Sequence, residues 1–198
     1  MTYPVSKEEK AGLREELGIE EPLVVVSVGQ FIHRKGYDVL LNSCVGLNKD
    51  IGVYIIGSEP TEEYTAFKKQ HNLDNVHFVG FKKKDELKKF YSAADLFVLP
   101  TREDIWGLVI NEAMAYGLPV ITTDKCIAGM ELVDKNNGAI VPVEDSIALQ
   151  NAIVDILSDN DKLHSMAVVS SDRIRKYTIE EMAKVHADII KEISGEAR

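Results

Sequence analysis

Six short apolar runs, rich in Val and Ile and mostly closed by Gly or Pro, punctuate the middle of the chain: Leu23 to Gly29, Ile51 to Gly57, Val76 to Gly80, Leu96 to Pro100, Pro119 to Thr123 and Ala139 to Val143. They barely alternate between apolar and polar positions, the pattern of parallel strands buried on both faces. Between them the apolar residues return every three or four positions, over Tyr37 to Leu47, Thr61 to His71, Asp85 to Ala94, Gly107 to Tyr116 and Gly129 to Val133, which predicts helices. Strand and helix in alternation require right-handed crossovers. The fold class is therefore α/β, an open parallel sheet of about six strands with helices on both faces. In such a sheet the ligand crevice lies beyond the carboxyl ends of the strands, so those loops are the place to look for chemistry.

Outside this region the pattern changes. Lys7 to Ile19 carries Leu13 and Leu17 among charges and predicts a short amphipathic helix lying on a neighbouring surface. After Val143 the period is helical throughout, over Ser146 to Leu157, Asp161 to Ile174 and Thr178 to Ile193. The stripe Met182, Val185, Ile189 and Ile190 on the last of these either closes the sheet or covers something beyond it. The expected division is a lead-in helix at 1–21, a sheet domain at 22–175 and a C-terminal helix at 176–198. No internal repeat or low-complexity segment interrupts it.

Composition narrows the function. A chain of 198 residues with 45% hydrophobic and 28% charged residues buries a core of its own and is neither disordered nor a disulfide miniprotein. Its formal net charge of -9 argues against nucleic acid or an anionic membrane as a general partner, so an anionic ligand must be met locally. Cys44 and Cys126 are isolated from each other and are expected to be reduced and buried, which points to a reducing compartment. No run approaches the length of a membrane span and Met1 to Lys10 is too polar for a signal peptide, so a cytoplasmic location is expected.

Two strand ends carry candidate chemistry. After Gly29, the run Gln30-Phe31-Ile32-His33-Arg34-Lys35-Gly36 leads directly into a helix, so backbone amides, a helix start and two cations can converge on an anion such as phosphate. A solvated Arg-Lys pair beside an ordinary turn fits the same residues. After Pro100, the run Thr101-Arg102-Glu103-Asp104-Ile105-Trp106-Gly107 opens a second helix towards the same crevice. Glu103 and Asp104 there suit the first turn of any helix. Glu112 lies among Val109, Ile110, Ala113, Met114 and Ala115, where a buried carboxylate needs ligand hydroxyls or an internal cation as partner. Trp106 is read as packing and Lys82 to Lys84 as wet surface. No dinucleotide fingerprint, P-loop, nucleophile elbow or metal-ligand spacing of the histidines is present.

Taken together, Val28-Gly29 with Lys35-Gly36, Ile55-Ile56-Gly57, Val76-His77-Phe78-Val79-Gly80 and Ala93-Ala94-Asp95-Leu96-Phe97-Val98-Leu99-Pro100-Thr101 resemble the group 1 (family four) retaining glycosyltransferases. The decisive stretch is Asp104 to Ile121. It is similar to that family's signature of two acids separated by seven residues, followed by E-A-M-A-x-G-x-P-V-I.

The resemblance implies a GT-B architecture, two Rossmann-like domains facing across a cleft, of which this chain corresponds to the C-terminal, donor-binding one. It implies transfer of a glycosyl group from a nucleoside-diphosphate sugar to an acceptor hydroxyl with retention, with no cofactor and no metal. The acceptor-binding N-terminal domain would be a missing partner, and any membrane contact is expected only through it. By the same resemblance Lys35 contacts the donor diphosphate and Gly29 borders it. Gln30 stands where the family has a second cation, a role Arg34 is expected to take over. Asp104, one methylene shorter than the usual Glu, contacts the donor sugar, and Glu112 takes the ribose hydroxyls. Gly107 and Leu108 present amides to the phosphates, Phe78, Val79 and Gly80 border the base, and Gly57 belongs to the adjoining strand end. Lys35, Asp104 and Glu112 are thus the implied catalytic residues. A non-catalytic nucleotide-sugar-binding module, or one subunit of a split transferase, is the alternative. A GT-B epimerase or phosphorylase is a third reading that no residue favours.

Overall fold

The computed structural model describes residues 5–194, so the first four residues of the lead-in segment and the last four of the C-terminal one lie outside the described residues. Six strands, β1 (Leu23–Val28), β2 (Ile51–Ile56), β3 (Val76–Gly80), β4 (Leu96–Leu99), β5 (Val120–Thr123) and β6 (Gly138–Val141), form one sheet in the order β3-β2-β1-β4-β5-β6. Every pairing is parallel. This is the Rossmann-like order, and it reverses direction between β1 and β4. The helices are α1 (Lys7–Leu17), α2 (Tyr37–Ser43), α3 (Glu62–Gln70), α4 (Lys84–Ala93), α5 (Leu108–Ala115), α6 (Ile127–Leu132), α7 (Ser146–Leu157), α8 (Asn160–Ile174) and α9 (Ile179–Ser194).

The near-continuous apolar strands acquire their reason here. Successive side chains of β1 serve opposite faces: Val25 joins Val53, Leu96, Val98 and Ile121 against Leu40 and Leu41 of α2 and Leu149, Ile153 and Ile156 of α7. Val24 and Val26 join Tyr54, Phe97 and Val120 against Phe90 and Tyr91 of α4, Ile110 and Met114 of α5, and Leu132 of α6. Two cores of this kind, rather than one, are what burying a sheet on both faces requires. The expectation of full burial holds for β2, β4 and β5 and for the middle of β1, but not for β3 and β6, which are only partly buried because they are the sheet edges.

Helix ends follow local chemistry. The helix predicted from Tyr37 to Leu47 stops at Ser43, and the apolar period runs on because the following turn returns Cys44 and Leu47 to the core, the Leu47 N–H donating to the Cys44 carbonyl at 3.1 Å. α1 starts on a Ser6 side-chain cap and ends on Gly18 in the left-handed region. Its Lys10 and Arg14 reach Asp95 at 3.0 and 2.6 Å, and Asp95 also accepts from the Val24 N–H at 2.8 Å, so the lead-in helix is tied to the starts of both β1 and β4.

α9 does not close the sheet. Every residue of it is exposed, including Ile179, Met182, Val185, Ile189, Ile190 and Ile193 of its apolar stripe. Among the described residues no helix is long and apolar enough to cross a membrane. Both cysteines are free and buried, as the sequence suggested.

Candidate anion-binding site at the strand ends

At the reversal point the chain leaves β1 and β4 side by side. After β1 a single 3₁₀ turn, His33–Lys35, lifts Arg34 and Lys35 above the sheet and is closed by Gly36 at φ 68°. A Cβ on Gly36 would stand 2.0 Å from the carbonyl oxygen of Pro100, so only glycine lets α2 begin against the end of β4. The two loops are also stitched together, the Arg102 N–H and the Thr101 hydroxyl both donating to the Arg34 carbonyl, at 2.8 and 2.9 Å.

Into this corner comes the Asp104 carboxylate. Lys35 Nζ donates to Asp104 Oδ2 at 2.6 Å, with both side chains only 13% exposed. Arg34 Nη1 donates to the Glu103 carbonyl at 2.9 Å and lies 3.7 Å from the same Asp104 oxygen. Asp104 is itself fixed by a strand-like bridge to Cys126, its N–H donating to the Lys125 carbonyl at 3.0 Å and its carbonyl accepting from the Ile127 N–H at 3.2 Å. Gly107, at φ 91°, caps the start of α5, and a Cβ there would stand 3.8 Å from Asp104 Cγ and 2.9 Å from the Cys126 sulfur. Burial pushes the Cys126 thiol up, so it is a neutral packing group under the helix start. Two cations and the start of α5 therefore share one location, with Asp104 as the internal counter-ion.

A second row of predicted residues lies alongside. The Gly29 N–H donates to the Ile56 carbonyl at 2.9 Å and the Gly57 N–H to the Gly80 carbonyl at 3.1 Å. A Cβ on Gly57 would stand 1.7 Å from the Gly29 carbonyl oxygen, so the ends of β1 and β2 meet backbone to backbone. Gln30 is exposed beside them. Phe78 and Val79 are partly buried, and Phe78 meets Phe31 edge-on at 5.2 Å between centroids.

Glu112 departs from the expectation of a carboxylate inside an apolar helix: it is on the exposed side of α5, because the period that buries Ile110, Ala113 and Met114 turns it outward. Its partner within the chain is not a cation but Tyr91, whose OH donates to Glu112 Oε2 at 3.0 Å. Tyr91 stacks on Tyr116, and burial, helped by the Glu112 charge, pushes its phenol up, so it remains a donor. No contact joins Glu112 to Lys35; it stands four residues beyond Leu108, about 6 Å of helical rise. Leu108 is itself exposed. Trp106 is a packing residue against the second core, its Nε1 donating to Asn111 Oδ1 at 2.9 Å.

Sequence reasoning missed Tyr91 and the part played by Arg102, which engages Asp38 and Glu144 across separations of 64 and 42 residues. Nothing local signals a contact of that range. Among the described residues no group of three or more His, Cys, Asp or Glu side chains could hold a metal ion.

Residues 9–170 match the family model described as glycosyl transferases group 1. The chain is 33% identical over 154 residues to the amylovoran biosynthesis glycosyltransferase AmsK of Erwinia amylovora, an alignment covering 71% of this chain and 37% of that protein. Sucrose-phosphate synthase from Thermosynechococcus elongatus superposes with a TM-score of 0.84 at 28% identity, over 98% of this chain and 50% of that one. Anabaena HepE, solved with UDP-glucose, shares the fold with a TM-score of 0.78 at 22% identity, over 96% of this chain and 54% of that one. The chain thus spans between 37% and 54% of the length of these three proteins.

Proposed function

The chain belongs to the group 1 glycosyl transferases, and from that premise we propose that it is the C-terminal, donor-binding half of a retaining, hexosyltransferase-type enzyme. The donor is a nucleoside-diphosphate sugar and the acceptor a hydroxyl. The observation that carries this reading is the corner itself: Lys35, Arg34 and the start of α5 meet at the point where the sheet reverses, beside the backbone row of Gly29, Gly57 and Gly80. Such a corner suits a diphosphate, with the nucleoside running towards Phe78, Val79 and Gly80. HepE, which binds UDP-glucose, supports the donor class.

The chemistry follows from charge. As the glycosyl bond breaks, negative charge grows on the departing diphosphate, and Lys35, Arg34 and the amides of Gly107 and Leu108 are fixed in place to meet it, stronger in the transition state than before it. No step is assigned to a metal. Asp104 holds Lys35 until the donor arrives; the diphosphate then replaces it as counter-ion, and the carboxylate turns to the sugar hydroxyls. Tyr91 occupies one oxygen of Glu112 and leaves the other for the ribose hydroxyls. The acceptor half lies outside this chain, and the exposed stripe of α9 is assigned to packing against it. The chain alone is therefore expected to bind donor without turnover.

Titration calorimetry with UDP, GDP and ADP and their sugars tests the reading. One base series should bind, and Lys35→Ala should weaken it by about 10- to 150-fold, the loss of one charge-assisted hydrogen bond of roughly 1.5–3 kcal/mol. Absence of binding by all three series would remove the proposal.

A further inference from the structure

Beside the cation corner, Arg102 has all the N–H donors of its guanidinium engaged. Nη1 and Nη2 hold the two Asp38 oxygens at 2.8 and 2.6 Å, Nε and Nη2 hold the two Glu144 oxygens, and Nη1 also donates to the His33 carbonyl at 2.6 Å. The side chain is 13% exposed. Its backbone N–H takes the Arg34 carbonyl, so one residue grips two of the three carbonyls of the turn that carries Arg34 and Lys35. Asp38 belongs to the first turn of α2, and Glu144 to the loop after β6, where it sits at φ 67°, a left-handed conformation that residues with side chains avoid. Arg102 therefore joins the chain segments that follow β1, β4 and β6.

An arginine whose donors are all committed has none left for an anionic ligand. What it can do is fix the turn. We propose that Arg102 is a positioning residue: it sets donor affinity by holding the His33–Lys35 turn in register with the start of α5, and does not itself touch the nucleotide. The proposal rests on the nucleotide-sugar reading above. Two bidentate carboxylate contacts and a carbonyl contact need a planar fork of donors, which an ammonium cannot reproduce although it keeps the charge.

The test is calorimetric titration of the full chain with UDP, GDP and ADP, together with thermal melting, for wild type, Arg102→Lys and Glu144→Gln. The nucleotide that binds wild type is carried through the series. Arg102→Lys should weaken it about tenfold and Glu144→Gln about threefold, at or below the lower end of the loss expected when the Lys35 bond is removed outright, because the cation is displaced and not deleted. The salt dependence of affinity should keep its slope in Arg102→Lys, since no cation–phosphate contact is lost, and should flatten in Lys35→Ala. In the Lys35→Ala background, followed by competition, the further effect of Arg102→Lys should shrink to about threefold or less, because the turn then presents only Arg34 to the ligand. Unchanged affinity in Arg102→Lys, or a loss that persists fully without Lys35, overturns the proposal. If Arg102→Lys melts before it can be titrated, Glu144→Gln, an exposed carboxylate and one arm of the grip, carries the same two criteria. Wild type that binds none of the nucleotides overturns the donor reading as well, whereas binding with an indifferent Arg102 overturns only the positioning role.

Discussion

Gly36 carries more of the site than its size suggests. It is the hinge between the turn that bears Lys35 and the first residue of α2, and it is pressed against the end of β4 with φ at 68°. Gly36→Ala combines a left-handed alanine with a 2.0 Å approach to the Pro100 carbonyl, so β4 and α2 must separate. A loss of roughly 2–4 kcal/mol is expected from the conformational and overpacking costs together. Urea denaturation measures it, and a loss below about 0.5 kcal/mol, the size of an ordinary surface change, would show that the contact relaxes at no cost. At this scale the sequence was legible where chemistry is local. Lys35, Gly29 and the start of α5 were placed by motif and strand end alone. Glu112 was placed on the right helix but the wrong side of it, since helical period distinguishes faces only when the apolar arc is narrow, and this helix is apolar over most of its circumference.

Among the elements, α9 stands apart. With none of its described residues buried, it contributes almost nothing to holding the sheet together, and it presents a long exposed apolar stripe. Ending the chain after Tyr177 should therefore change the stability of the remainder by less than about 1 kcal/mol, in keeping with surface positions generally. Thermal melting of the shortened chain decides this, and a fall of more than about 5 °C would mean that α9 packs on the sheet domain in solution. The sequence read the stripe correctly but left open whether it closes the sheet, because amphipathicity names a face and not the thing that covers it. Strand ends and helix starts were otherwise legible within a residue or two, since Gly, Pro and capping residues mark them. The edges were not: only the pairing order shows that β3 and β6 lack a neighbour on one side.

The molecule as a whole is cross-braced by carboxylates. Asp38 and Glu144 are held below the ordinary carboxylate range chiefly by hydrogen bonds from Arg102, Asp134 is lowered by backbone amide hydrogen bonds and then Arg173, and Glu21 is lowered by Tyr54 and His77 against the opposing effect of its burial. A carboxylate with a depressed folded value stabilises the fold above its unfolded value, and that stability is lost as the pH falls through the folded one. Stability should therefore be flat near neutrality and decline below about pH 4 to 5, where unperturbed carboxylates titrate. Denaturation midpoints measured from pH 7 to pH 3 check this, and a midpoint that holds or rises into acid would contradict it. Arg102→Lys should make the decline shallower. The parallel sheet was implied by alternation and its Rossmann-like character by the motif resemblance, but these long-range braces were invisible, since each joins segments that only the folded sheet brings together.

The burial of both thiols has a practical consequence. Cys44 is fully enclosed and its thiol is pushed up to about 12, and Cys126 is sealed beneath Gly107, so the native chain offers maleimide reagents no ready nucleophile. One cysteine introduced at an exposed position such as Ile105 or Ile189 would then be the sole attachment point for a fluorophore or spin label, with the natural pair left in place.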